Sequence, residues 1–96
     1  MEYTWDERKA EKVKAEHRVE FEKIIEIFED IYAVEFIDEK HSTEKEVRYA
    51  IIGLTREYGI TFLVFTTPRE DEYHFITARK AKGWMVKEYE NNRKRF

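Results

Sequence analysis

The sequence predicts a small α+β domain in which helices pack against one face of an antiparallel sheet. Up to about residue 30 the apolar residues recur with helical spacing, and from residue 33 onward they alternate as in strands. The connections after residue 33 are short, which favours antiparallel pairing of neighbouring strands. A chain of 96 residues has room for one domain, residues 1–96.

The first third of the chain is predicted to hold a short strand and two helices. Residues 2–5 have a strand pattern, and Asp6 is a suitable N-cap for a helix over residues 7–17. A second helix is predicted over about 20–30, because an apolar stripe recurs there at i, i+3, i+4 and i+7. That stripe consists of Phe21, Ile24, Ile25 and Phe28.

The remaining two thirds are predicted to hold four strands and a final helix. Alternation predicts strands over residues 33–38, 47–52, 60–65 and 73–78, and a helix over about 82–93. The third of these strands is apolar on both faces, which indicates the centre of the sheet.

Charge divides the chain unevenly. Residues 1–78 carry 11 Lys and Arg against 19 Asp and Glu, whereas residues 79–96 carry 7 against 2. The net charges of −8 and +5 are hidden in the total of −3. Clustered cations on an acidic chain point first to polyanions or acidic partners.

Composition excludes several classes of site. The absence of cysteine rules out disulfides, thiolate catalysis and cysteine-based zinc sites, and three glycines and one proline argue against a glycine-rich phosphate loop. His17, His41 and His74 do not have metal-ligand spacing, so we expect no metal and no cofactor. With no long apolar run and a charged N-terminus, we expect a cytoplasmic protein without a membrane partner.

An ordered set of short motifs covers nearly the whole chain and resembles the BrnT family of ribonuclease toxins. The motifs are Trp5-Asp6-Glu7 with Lys9, Phe21-Glu22, Ile27-Phe28-Glu29-Asp30, Asp38-Glu39-Lys40-His41-Ser42, Arg48, Ile52-Gly53, Thr66, Arg69 and Thr77-Ala78-Arg79-Lys80-Ala81. The chain departs from the family pattern where Glu16-His17-Arg18 replaces Lys-His-Gly and where Val13, His74 and Met85 replace Asn, Arg and Glu.

The resemblance implies a RelE-like fold and the toxin of a type II toxin–antitoxin pair. Such a toxin cleaves RNA, is neutralised by a BrnA antitoxin, and meets DNA only through that antitoxin. The alternative is a catalytically degenerate protein of the same fold that binds an antitoxin, takes part in autoregulation or binds RNA.

RNA cleavage without a metal needs a base, an acid and cations that stabilise charge on the phosphorus. Histidine and arginine are the natural residues for these tasks near neutral pH. The family spacing makes Arg79 and Arg69 candidates, and we expect them to hold the phosphate. We expect His41 or His74 to move protons. Arg48 completes the predicted catalytic set, and Lys80, Lys82 and Lys9 are the predicted RNA-binding cations.

Each candidate also has a structural interpretation. Arg48 is equally consistent with a half-exposed residue paired with Glu46 or Glu72, and His74 with a satisfied, partly buried histidine. His17 ends a helix, where the dipole favours a cation, and a structural role is favoured for it. Trp84, Met85 and Tyr89 have the spacing of a core stripe, which is favoured over stacking on bases.

Overall fold

In the computed structural model, which describes residues 1–95, five strands, two α-helices and two short 3₁₀ helices are formed. The strands are β1 (Glu2–Trp5), β2 (Val34–Ile37), β3 (Tyr49–Thr55), β4 (Gly59–Arg69) and β5 (Glu72–Lys80). The α-helices are α1 (Glu7–His17) and α2 (Trp84–Lys94), and the 3₁₀ helices are Phe21–Lys23 and Ile25–Glu29. Among the residues described, no helix has the length and apolar character needed to cross a membrane.

The sheet has the order β1-β5-β4-β3-β2. The pairs β2–β3, β3–β4 and β4–β5 are antiparallel, and β4 lies at the centre, so the predicted meander and its central strand are confirmed. The outer strand β1 pairs with β5 in parallel and makes the sheet mixed. Short connections determine the direction of consecutive strands only, and β1 and β5 are far apart in sequence.

Helix α1 begins and ends where the sequence predicts. The Asp6 Oδ1 atom accepts hydrogen bonds from the backbone N–H groups of Arg8, at 2.8 Å, and Lys9, at 3.2 Å. The helix ends at His17, because Arg18 adopts the left-handed conformation with φ of 59°. Its backbone N–H donates to the Lys14 carbonyl oxygen at 3.0 Å.

The predicted second helix over about 20–30 is wrong in type, because the chain there forms the two 3₁₀ helices. The fully buried side chains are Phe21, Ile24 and Ile27, each three residues after the previous one. A spacing of three matches the 3.0 residues per turn of a 3₁₀ helix. Gly53 of β3 permits the close approach of this segment, since a Cβ atom there would lie 2.7 Å from Cγ1 of Ile27.

The helices cover both faces of the sheet, so the expectation that they lie on one face is wrong. On one face, α1 and the 3₁₀ helices cover Ile51, Leu63, Phe65 and Phe75. On the other face, Met85 and Tyr89 of α2 cover Ala50, Ile52, Phe62 and Val64. Because the middle strands are apolar on both sides, each side needs its own cover.

The carboxylate of Asp30 ties α2 to the rest of the fold. It accepts hydrogen bonds from the Tyr89 hydroxyl at 2.7 Å, the Leu54 N–H at 2.8 Å and the Tyr32 N–H at 2.9 Å. Burial acts to raise the pKa of Asp30, but these three bonds outweigh it and lower the pKa below the ordinary 3.8. Burial and the bond to Asp30 raise the pKa of Tyr89 to about 12.

We expect Tyr89→Phe to lower the free energy of unfolding by about 2 kcal/mol, because it removes a hydrogen bond to a charged group. The stabilisation from Asp30 is present above pH 3.8 and is lost as pH falls towards its lowered folded pKa. The variant should therefore lose less stability on acidification than the parent chain. Urea unfolding at neutral and acidic pH measures both effects.

Tyr73→Phe is the matched control, since within residues 1–95 the Tyr73 hydroxyl makes no hydrogen bond while its ring stacks on Phe28 at 4.2 Å. Equal unfolding free energies for the two variants would contradict the role given to Asp30.

Candidate functional site

A cavity of about 270 Å³ brings together three parts of the chain that are distant in sequence. They are the end of α1, the loop between β2 and β3, and facing residues of β4 and β5. The lining residues are His17, Lys40, His41, Phe62, Thr77, Ala78 and Arg79. Two basic side chains and two imidazoles therefore face one small space, and no acidic side chain is among the described lining residues.

His41 is oriented by a buried carboxylate. Its Nδ1 atom lies 2.7 Å from Oδ2 of Asp38, whose exposure is 8%. Because a carboxylate only accepts hydrogen bonds, it holds the imidazole proton on Nδ1 and leaves Nε2 available to a substrate. This is the geometry of a positioned acid–base group.

The loop that carries His41 is closed by Ser42. The Ser42 hydroxyl accepts a hydrogen bond from the Arg48 N–H at 2.8 Å and donates to the Asp38 carbonyl oxygen at 2.7 Å. The Asp38 N–H donates in turn to the Arg48 carbonyl oxygen at 2.8 Å. These bonds fix the two ends of the loop and hold the Asp38–His41 pair in place.

Arg79 lies in β5, directly opposite Phe62 of β4, and is half-buried. Its Cζ atom lies 5.7 Å from the centroid of the Phe62 ring, a cation–π contact. Within residues 1–95 no carboxylate pairs with its guanidinium group. The planar fork of donors is thus supported by an aromatic ring and free for a phosphate.

His17 and Lys40 were not predicted to belong to the site, and both line it. The His17 ring is 35% exposed at the end of α1, with Nε2 4.0 Å from a Glu16 carboxylate oxygen. Lys40 stands within the sequence motif that contains His41, and this motif could have identified Lys40 as a site residue. His17 stands in the counterpart of the family's Lys-His-Gly, which was also a signal, and the fold brings the end of α1 to β5.

Arg69 and His74 lie at the opposite end of β5 from Arg79. The Arg69 guanidinium donates to Glu72 at 3.2 Å and to Glu2 at 3.3 Å. These two carboxylates raise the pKa of Arg69. The hydrogen bond to Glu72 has the largest effect, followed by the charge of Glu2. Seven residues of strand separate Glu72 from Arg79, roughly 23 Å at the usual rise. The structure does not bring the two arginines to one phosphate.

The His74 imidazole is satisfied in this same cluster, as its structural interpretation expects. Its Nδ1 atom lies 2.8 Å from the Thr4 hydroxyl, which donates to Glu72 at 2.6 Å. Because that hydroxyl has one proton, Nδ1 of His74 is the donor in their bond. The cluster thus joins β1 to β5, and it lies apart from the cavity.

The other predicted cations also lie outside the cavity lining. Arg48 precedes β3 and is ion-paired with Glu46 at 2.9 Å, one of its two predicted partners. The strand β5 extends past its predicted end and includes Lys80, which contacts the Tyr58 ring at 5.9 Å. Lys82 is exposed between β5 and α2, and Lys9 is exposed on α1. Their roles in RNA binding stay predictions.

The basic C-terminal segment does not form a single surface. Arg79, Lys80 and Lys82 precede α2, whereas Arg93 and Lys94 lie in its last turn. A helix of 11 residues is about 16 Å long, so the two groups stand at opposite ends of α2. Of these residues, Arg79 alone is among the cavity's described lining residues. Within residues 1–95 no cluster of three or more His, Asp or Glu side chains is arranged to hold a metal ion.

Comparison with known proteins identifies the family. A family model described as "Ribonuclease toxin, BrnT, of type II toxin-antitoxin system" matches residues 5–83. The chain belongs to the BrnT toxin family. It is also similar to the crystal structure of the ribonuclease toxin BrnT from Brucella abortus, with 25% identity and a TM-score of 0.67 over 86% of this chain and 99% of that chain. No curated protein sequence gave a match.

Membership of the BrnT family confirms the resemblance read from the motifs. Two departures from the family pattern have a structural explanation, because Val13 is 3% exposed and Met85 is 2% exposed. Val13 packs with the core under α1, and Met85 with the core under α2. Their apolar character therefore serves packing.

We expect Ser42→Ala to loosen the loop that holds the Asp38–His41 pair. Losing the hydroxyl leaves the Arg48 N–H without its partner, at a cost of about 1 kcal/mol, or roughly fivefold faster exchange of that amide. Hydrogen exchange followed by NMR measures this rate. Thr67→Ala is the control, because the exposed Thr67 hydroxyl makes no hydrogen bond within residues 1–95. An unchanged Arg48 amide would contradict the closing role of Ser42.

Proposed function

We propose that this BrnT-family toxin is an endoribonuclease that cleaves RNA without a metal, through attack of a ribose 2′-OH on the adjacent phosphate. The observation that carries the proposal is the Asp38–His41 pair, 2.7 Å apart, at the cavity lined by Arg79, whose guanidinium pairs with no carboxylate of residues 1–95. The same proposal includes a RelE-like relationship and action in the cytoplasm. It also includes neutralisation by a BrnA-like antitoxin, and contact with DNA only through that antitoxin.

The cavity residues supply the three requirements of this reaction. His41, held by Asp38, accepts the 2′-OH proton at Nε2 while the 2′-oxygen forms a bond to phosphorus. The bond from phosphorus to the 5′-oxygen breaks, and His17 in its protonated form gives that oxygen a proton. The products are a 2′,3′-cyclic phosphate and a 5′-hydroxyl.

Arg79 and Lys40 stabilise the charge that grows on the phosphate oxygens. Arg79 offers a planar fork of donors whose Cζ atom lies over the Phe62 ring, and Lys40 adds a mobile point charge. Donors placed in advance for the transition state are usually the largest single catalytic contribution.

Arg79→Ala should lower kcat/KM for RNA cleavage by at least roughly 30-fold, equivalent to about 2 kcal/mol of transition-state stabilisation. Folding should change little, because the side chain is not in the core. Asp38→Asn should also lower kcat, since it weakens the hold on the His41 tautomer. Cleavage of single-stranded RNA is measured in EDTA.

Arg69→Ala is the matched control and also tests the sequence prediction that Arg69 holds the phosphate. From its place in the ion-paired cluster, we expect it to retain activity. Equal cleavage by Arg79→Ala and the parent would refute the assignment. A parent chain that cleaves no RNA but binds an antitoxin would instead support the catalytically degenerate alternative.

An antitoxin with an acidic segment should bind over Arg79 and the neighbouring Lys80 and Lys82, because covering these cations blocks the site and complementary charge speeds association. Reversing the three residues to Glu should abolish the complex in size-exclusion chromatography after co-expression with the neighbouring gene product. Reversal of Arg93, Lys94 and Arg95, at the far end of α2, is the control of equal charge. A complex that survives the first reversal places the interface elsewhere.

A further inference from the structure

Trp84 is an exposed aromatic residue at the edge of the cavity. It is the first residue of α2 and is 55% exposed, so its expected place in a core stripe is wrong. Met85 and Tyr89, the other members of that stripe, are each 2% exposed. The helix thus turns two side chains into the core and leaves the indole in solvent.

The indole and the guanidinium of Arg79 contact the same ring. The Trp84 and Phe62 ring centroids are 6.4 Å apart at an interplanar angle of 77°, and Cζ of Arg79 lies 5.7 Å from the Phe62 centroid. Phe62 also lines the cavity with His41. A phosphate held by Arg79 and a base next to Trp84 can therefore belong to neighbouring nucleotides of one RNA strand.

The position of Trp84 is fixed by the backbone and by a second aromatic contact. Gly83 precedes it with φ of 59° and ψ of −127°, a conformation that other residues rarely adopt. The indole also contacts Phe36, with ring centroids 6.0 Å apart at an interplanar angle of 61°. A flat ring held in this way is a platform that is ordered before binding, which reduces the entropy cost of stacking.

We propose that Trp84 stacks on an unpaired base of the RNA next to the phosphate bound by Arg79. This inference rests on the proposed ribonuclease function and adds a base-binding subsite to it. Stacking on aromatic side chains is the general way in which proteins hold unpaired bases, and it is tolerant of sequence. RNA is favoured over an apolar partner because Arg79 contacts the same Phe62 ring, the exposed Lys82 is two residues before Trp84, and each base is carried on an anionic backbone.

Two variants separate stacking from a structural role. Trp84→Ala should raise KM for a single-stranded RNA oligonucleotide by roughly 5- to 150-fold, the range for the loss of one stacked base, with a smaller change in kcat. Trp84→Phe should restore most of the binding. An oligonucleotide with an abasic site beside the cleaved phosphate should be bound equally by the parent and Trp84→Ala.

Fluorescence tests the contact without cleavage. A 2′-O-methyl oligonucleotide, which has no attacking hydroxyl, should quench the parent chain but not Trp84→Phe, in which Trp5 remains as an internal reference. Cleavage with equal KM values for parent and Trp84→Ala, or equal quenching of parent and Trp84→Phe, overturns the stacking proposal. Quenching by the antitoxin but not by the oligonucleotide also overturns it. Trp84-dependent quenching without any cleavage supports stacking and overturns the proposed ribonuclease activity instead.

Discussion

The burial of β4 on both faces is the constraint on which the other features depend. Leu63 and Val64 point to opposite faces, and both are 0% exposed. A strand of this kind needs cover on each side, and the chain supplies α1 with the 3₁₀ helices on one side and α2 on the other. The cavity lies where the end of α1 and the β2–β3 loop meet β4 and β5, and Trp84 at the start of α2 contacts its lining residue Phe62.

The attachment of α2 connects stability to the site. Most of what holds this helix is the burial of Met85 and Tyr89, together with the bond from the Tyr89 hydroxyl to Asp30. The Asn92 amide adds a hydrogen bond to the Tyr32 carbonyl oxygen at 2.8 Å. Because the same helix presents Trp84 to the cavity, a loss of these contacts moves the platform as well as exposing the core.

Local signals in the sequence predict the parts of the fold that local interactions determine. Asp6 and the helix after it are examples, since a cap and an amphipathic stripe act within a few residues. The 3₁₀ helices were missed because Phe21 and Ile24 fit both a 3.6 and a 3.0 period, and only the packing of Ile27 on Gly53 distinguishes them. The location of α2 on the second face depends on tertiary burial, which spacing along α2 does not specify.

The same distinction explains which site residues the sequence reveals. His41 and Arg79 stand in motifs that were predicted to form the site, whereas His17, in the counterpart of the family's Lys-His-Gly, was assigned a structural role. The family spacing suggested that Arg69 accompanies Arg79, yet Arg69 ends β4 beside Glu72, and the length of β5 separates that end of the strand from Arg79. An acidic chain of net charge −3 thus concentrates a few cations at one cavity. Under the proposed ribonuclease function, its affinity for RNA must come from the geometry of those contacts, because long-range attraction is weak.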